Sequence, residues 1–110
     1  MASRIKLVKG DNRPYITLTL SDSTGGAIDL SEATTSVSVH FREEGSSTVL
    51  STLATTKVDG GSTGKVKFNF PGSTLNVEPG SYEGEIEINF NGEKQTVYNP
   101  LKFTVRDEFA

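Results

Sequence analysis

The segment LNVEPGSYEGEIEINF, residues 75–90, decides the fold of this chain. From residue 82 onward, two kinds of side chain alternate strictly. One set is Tyr82, Gly84, Ile86, Ile88 and Phe90, and the other is Glu83, Glu85, Glu87 and Asn89. Because successive side chains of a β-strand point to opposite faces, this period of two predicts a strand with one dry and one wet face. The Pro79-Gly80 pair predicts a corner where the chain enters that strand.

A hairpin is predicted directly after this strand. Asn91-Gly92 favours a two-residue type I′ turn, because both central residues of that turn need a positive φ. The return strand then runs from Glu93 towards Arg106, and Pro100 places it near a sheet edge because proline cannot donate to a ladder. The register set by the turn predicts the opposing pairs Phe90–Glu93, Ile86–Val97 and Tyr82–Leu101.

Alternation recurs along the rest of the chain, with Gly-rich turns between the segments. The alternating segments are residues 4–8, 15–20, 36–42 and 65–70, and more weakly 48–58. About seven short strands separated by turns predict an all-β fold, an immunoglobulin-like antiparallel β-sandwich in one domain, 1–110. Leu75, Gly80 and Tyr82 resemble a tyrosine corner, which favours the sandwich. A small antiparallel barrel is the alternative.

The composition limits the classes of function. The chain has 110 residues, a net charge of −3 and no cysteine. This length predicts one modest core, and the charge is not the basic footprint of a nucleic-acid-binding protein. Residues 1–10 have no apolar stretch of signal-peptide type, and no apolar run is long enough to span a membrane. We therefore expect synthesis and assembly in a cytoplasm, without a nucleic-acid or membrane partner.

No catalytic, cofactor or metal site is predicted. The glutamates at 83, 85 and 87 lie about 6.6 Å apart along one strand face and point in parallel, so they do not converge on a substrate or cation. They are interpreted as a solvated face. His40 is the only histidine and has no cysteine or second histidine to join it. The loop carboxylates Asp22, Asp29 and Asp59 have no EF-hand spacing. The protein is therefore predicted not to be an enzyme.

Protein contacts are the remaining prediction from the residues themselves. Tyr15 and Tyr98 fall at outward positions, and small β domains often bind through such sheet edges. Residues 1–9 and 107–110 are predicted to be arms that order on a neighbour, so we expect the domain to fold without residues 1–9. The candidate interface residues are Lys6, Lys9, Tyr15, His40, Tyr98, Pro100 and Phe109.

Four segments resemble bacteriophage tail and baseplate domains, in particular the N-terminal domain of the upper baseplate protein. They are LVKGDNRPYITLTLSD (7–22), GGAIDLSEATTSVSVHFRE (25–43), FNFPGSTLNVEPGSYEGEIEINFNGEKQTV (68–97) and LKFTVRDEF (101–109). The resemblance implies a structural protein of the virion, made in the host cytoplasm, without catalytic residues. The 110 residues contain no counterpart of that family's helical linker and C-terminal domain, so the implied role narrows to an attachment module.

The partners implied by the resemblance are other phage structural proteins: tail, baseplate, fibre or capsid. We expect a symmetric multimer of modest contacts in the particle. Two alternatives stay open. A head decoration protein that cements the capsid shell would use the same sandwich and the same termini. A carbohydrate-binding module would need exposed aromatic side chains beside a groove, for which Tyr15 and Tyr98 are the candidates.

Overall fold

The computed structural model describes residues 4–109, which form two β-sheets packed face to face. The strands of this part of the chain are β1 (Ile5–Val8), β2 (Ile16–Thr19), β3 (Thr35–Glu43), β4 (Ser51–Ala54), β5 (Thr56–Lys57), β6 (Lys65–Phe68), β7 (Gly80–Phe90), β8 (Glu93–Thr96) and β9 (Leu101–Arg106). One 3₁₀ turn, Asp59–Gly61, precedes β6. The predicted all-β sandwich is confirmed.

The two sheets differ in size. The large sheet has the order β1-β9-β7-β3-β4, and β8 pairs with the far half of β7. The small sheet has the order β2-β6-β5. There are nine strands rather than about seven for two reasons. The weakly alternating segment after residue 48 changes sheet at Thr55, giving β4 and β5, and the return strand after Asn91-Gly92 is interrupted, giving β8 and β9.

One strand pair departs from the predicted antiparallel arrangement. β1 pairs with β9 in parallel, with Leu7 opposite Val105, so the large sheet is mixed. Parallel neighbours need a long connection, and here almost the whole sandwich lies between the two strands.

The core lies between the sheets and is built from the inward positions of the alternating segments. Phe41, at its centre, is fully buried. Its ring centroid lies 5.2 Å from those of Phe70 and Tyr82 and 5.6 Å from that of Phe103. Gly84 lies opposite Phe41 on β7, and the space of its missing side chain is taken by Val39 and Phe103. The predicted inward residues Val66, Phe68, Phe70, Ile86, Ile88, Phe103 and Val105 are all buried.

The predicted tyrosine corner is present at the entry to β7. The Tyr82 hydroxyl donates a hydrogen bond of 2.5 Å to the carbonyl oxygen of Glu78, and Tyr82 itself is buried. Leu75 is buried below the corner. The Pro79-Gly80 turn is therefore held by a side chain of the strand that it starts.

The predicted register of the hairpin holds from its turn as far as the predicted pair Ile86–Val97, where the Val97 N–H donates to the carbonyl oxygen of Ile86 at 2.9 Å. Phe90 lies opposite Glu93, as predicted, but Tyr82 lies opposite Phe103 and not opposite Leu101. Two extra residues are accommodated between β8 and β9, where Pro100 has no N–H to give to the ladder. A shift of two residues keeps each side chain on its face, so the core positions of β9 are the predicted ones.

Residues 4–8 were predicted both as a strand and as part of an N-terminal arm, and the structure shows the strand. Residues 5–8 form an edge strand of the large sheet, and Leu7 is buried in the core. Deleting residues 1–9 would therefore remove part of the fold. Met1–Ser3 and Ala110, the outer parts of the two predicted arms, lie outside the described residues. Asp107–Phe109 belong to no strand.

Candidate interaction surfaces

The outer face of the large sheet carries a network of charged side chains centred on Glu83. Glu83 was predicted to be solvated, but only 6% of it is exposed. Arg42 on β3 donates a hydrogen bond of 2.9 Å from its Nε to Glu83 Oε1, and its Nη2 lies 2.8 Å from the same oxygen. Lys102 on β9 donates to Oε2 at 3.0 Å. Because β7 lies between β3 and β9, the long cationic side chains of both neighbours cover the carboxylate.

The network continues to a second carboxylate at the end of the sheet. The Oε2 of Glu44 accepts a hydrogen bond of 2.6 Å from Arg4 and lies 3.6 Å from Lys102 Nζ. Arg4 also donates to the carbonyl oxygen of Phe103 at 3.0 Å. The hydrogen bond from Arg4 lowers the pKa of Glu44. Three cations and two carboxylates thus connect the N-terminal segment, β9, β7 and β3, which makes this cluster part of the scaffold.

Acid should weaken the network through Glu83. The hydrogen bond from Lys102, and then the one from Arg42, lower the pKa of Glu83 below its usual value. A carboxyl with a lowered folded-state pKa stabilises the fold above its unfolded pKa, about 4.3 for glutamate, and this stabilisation is lost as the pH falls through the folded value. We expect Glu83→Gln to cost about 1–2 kcal/mol at pH 7 and less at acid pH.

Urea denaturation at neutral and acid pH measures this difference in the free energy of unfolding. Glu85→Gln is the matched control, because Glu85 lies on the same strand and face, is exposed and has no ion pair within residues 4–109. The prediction is contradicted if Glu83→Gln and Glu85→Gln lower the free energy of unfolding by the same amount. It is also contradicted if the effect of Glu83→Gln does not change with pH.

His40 lies in the middle of the same outer face and is half-buried. Its Nδ1 is 3.1 Å from the Thr52 hydroxyl, and its Nε2 is 3.4 Å from Glu87 Oε1. Lys94 Nζ lies 3.9 Å from the same oxygen of Glu87. The ring is thus held by neighbours in its own sheet.

The other candidate interface residues do not form one site. Tyr15 is exposed just before β2 of the small sheet, with Lys67 Nζ 5.3 Å from its ring centroid. Tyr98, which is 95% exposed, and the half-buried Pro100 lie between β8 and β9 of the large sheet. The seven predicted residues are therefore distributed over both sheets.

Lys6, Lys9 and Phe109 lie near the β1 edge of the large sheet or beyond it. Lys6 is exposed on β1, and Lys9 follows that strand with its Nζ 3.9 Å from Glu78. Phe109 follows β9 and is 96% exposed, with the Arg106 guanidinium 4.7 Å from its ring centroid.

Two exposed apolar residues were missed by the sequence analysis. Val49 and Leu50 are about half exposed. They were read as part of a strand, but β4 begins only at Ser51. Leu50 lines a groove of about 300 Å³ together with Glu43 and Tyr82. The signal that could have found them is the break in alternation at residues 48–50, which separates this pair from the strand.

Two of the three loop carboxylates, Asp22 and Asp29, accept hydrogen bonds within their own turns. Asp22 Oδ1 accepts hydrogen bonds from the backbone N–H of Thr24 and Gly26 and from the Thr24 hydroxyl, and the bond from this hydroxyl is the main cause of its lowered pKa. Asp29 accepts a backbone hydrogen bond from Ser31. Within residues 4–109, no three His, Cys, Asp or Glu side chains come together as a metal site. The described chain also contains no helix with the length and apolar character of a membrane span.

Comparison with known proteins does not assign the chain to a family. The sequence matches no protein-family model and no curated protein.

Proposed function

We propose that this protein is a structural protein of a bacteriophage virion. It acts as a β-sandwich attachment module of the tail or baseplate and connects virion components, such as receptor-binding fibres, by protein–protein contacts. Head decoration is the alternative within the same proposal, because a protein that cements the capsid shell would use the same kind of contact. The segments that resemble baseplate domains motivate the virion context.

The observation that carries the attachment role is the distribution of the exposed apolar side chains. Large apolar residues of the strands are buried in one core, whereas Tyr15, Leu50, Tyr98 and Phe109 are exposed at four separate places. Tyrosine and phenylalanine are enriched where proteins contact each other, and an exposed ring is an anchor only if a partner covers it. Several separate anchors suit a module that contacts more than one neighbour.

The carbohydrate-binding alternative has less support. It requires the two exposed tyrosines to flank a common groove, but Tyr15 precedes a strand of the small sheet and Tyr98 follows a strand of the large sheet. Neither lines the grooves at Arg4–Val8, at Glu43–Leu50 or at Gly10–Pro14. No observation on this surface favours a sugar over a protein.

The proposal is tested on purified phage particles. We expect mass spectrometry to detect the protein in them and gold-labelled antibody to mark the tail, whereas a labelled shell identifies the head alternative. Tyr98→Ala should weaken binding to the particle by roughly fivefold, the effect of an interface anchor worth about 1 kcal/mol, and so lower the number of copies per particle. Gln95→Ala is the control on the neighbouring exposed strand β8. Both variants should have the free energy of unfolding of the wild type. The proposal is overturned if purified particles do not contain the protein.

A further inference from the structure

The edge of the large sheet at β1 carries an apolar groove with a basic rim. β1 is the terminal strand of the sheet and pairs only with β9 among the described strands. The groove has a volume of about 300 Å³ and is walled mainly by aliphatic carbon. It is lined by Arg4, Lys6, Leu7, Val8, Thr104 and Arg106.

Two of these cations have no carboxylate partner among the described residues, although Arg106 Nη1 donates to the carbonyl oxygen of Asp107 at 2.8 Å. Arg4 is paired with Glu44, but Lys6 and Arg106 have no carboxylate within 4.0 Å in residues 4–109. A lysine on a short edge strand discourages indiscriminate pairing with other strands. Beside an apolar floor, the two cations also select a ligand that has both carboxylates and a large apolar side chain.

The segment directly after β9 has this chemistry. It reads Asp107-Glu108-Phe109 and begins at the end of the groove, next to Arg106. The two carboxylates have no cationic partner within the described residues. The Phe109 ring is almost fully exposed, although the Arg106 guanidinium lies over it.

We infer that this groove binds residues 107–109 of a second copy of the chain. In that arrangement the carboxylates lie beside Lys6 and Arg106 of the receiving copy, and the Phe109 ring covers its Val8. Three extended residues span only about 10 Å. The groove of the second copy must therefore lie close to the end of β9, which brings the two β1 edges side by side. A reciprocal exchange of tails closes a twofold dimer.

This inference depends on the proposed function only in expecting a protein as the ligand. The two are tested separately, because self-association is measured on the purified chain and incorporation is measured on particles. A chain that dimerises but is absent from particles refutes the proposed function alone, and an incorporated chain that never dimerises refutes the inference alone.

The experiment is sedimentation equilibrium at total concentrations up to about 1 mM, the range of a weak contact. We expect a dimer whose Kd rises at least about tenfold when residues 107–110 are removed, and also when Lys6 and Arg106 are both changed to Glu. Lys65→Glu is the control, because it reverses an exposed lysine on the small sheet. Circular dichroism of every variant shows that it is folded.

A mixing experiment then separates a specific contact from a general loss of stability. The variant Asp107→Lys, Glu108→Lys has a basic tail and a basic groove, whereas the variant Lys6→Glu, Arg106→Glu has an acidic tail and an acidic groove. Each should be monomeric alone, and the two should form a heterodimer when mixed. A wild-type chain that stays monomeric at about 1 mM, or a dimer that survives both charge reversals, overturns the inference. Capture of an unrelated acidic peptide by a monomeric chain also overturns it and assigns the groove to another protein.

Discussion

Gly64→Ala is expected to lower the free energy of unfolding by about 3–4 kcal/mol, which is exceptional for the addition of one methyl group. Gly64 is buried and has a φ of +75°. A Cβ there would lie 2.5 Å from the carbonyl oxygen of Leu20 and 3.1 Å from that of Ile28. Leu20 cannot retreat freely, since its N–H donates to Gly64 and its carbonyl accepts from Ile28. The methyl group must therefore separate the two segments and break their hydrogen bonds.

Gly60→Ala is the matched control for this prediction. Gly60 has a φ of +74°, and a Cβ there would meet nothing within 4 Å. Both variants incur the cost of a left-handed non-glycine residue, about 1 kcal/mol, so the difference between them measures the clash alone. Urea denaturation followed by circular dichroism gives both values. If the two variants lose the same free energy of unfolding, the segment at Leu20 moves aside for the new methyl group without cost.

Much of the fold follows from period-two alternation alone. Val66, Phe68, Ile86 and Ile88 are buried because each strand packs one face on the other sheet, and the alternation that marks this face is a property of the strand itself. The Asn91-Gly92 turn is local for the same reason: Asn91 and Gly92 both have a positive φ. The tyrosine corner was also predictable, because its donor and acceptor lie four residues apart in the chain.

The features that were not predicted depend on which strands become neighbours. Nothing in Ile5–Val8 itself specifies a parallel partner at the opposite end of the chain. Glu83 occupies a polar position, as its alternation predicts, and it is buried only because Arg42 and Lys102 lie on the strands to either side. The register shift before β9 arises because the three residues Tyr98–Pro100 face the single residue Glu85 between the pairs Ile86–Val97 and Gly84–Leu101. Alternation keeps the same parity before and after this shift and therefore cannot reveal it.

The candidate surfaces were predictable as single residues but not as an arrangement. Tyr15, Tyr98 and Phe109 are exposed, as their outward or terminal positions suggested. The groove at β1 could not be predicted, because it requires Lys6 and Arg106 to lie on neighbouring strands, and these residues are separated by nearly the whole sequence.

Phe41→Ala is expected to cost about 3–5 kcal/mol, the range for truncating a fully buried phenylalanine. The ring of Phe41 contacts three other aromatic rings, from Phe70, Tyr82 and Phe103. Removing it leaves a cavity and ends all three contacts, each of which can add about 0.5–1.5 kcal/mol beyond burial. Because a small domain has only about 5–15 kcal/mol of stability in total, this variant should be close to unfolding at 37 °C.

Phe41→Leu keeps the measurement possible if the alanine variant does not fold. Leucine fills most of the space, so we expect a loss of about 1–2 kcal/mol. Phe68→Leu is the matched control, because Phe68 is almost equally buried but, within residues 4–109, its ring pairs with that of Phe70 alone, at 5.9 Å. The loss at position 41 should exceed the loss at 68, since three aromatic contacts end rather than one. Equal losses would show that apolar volume alone, without the packing of the rings, holds the two sheets together.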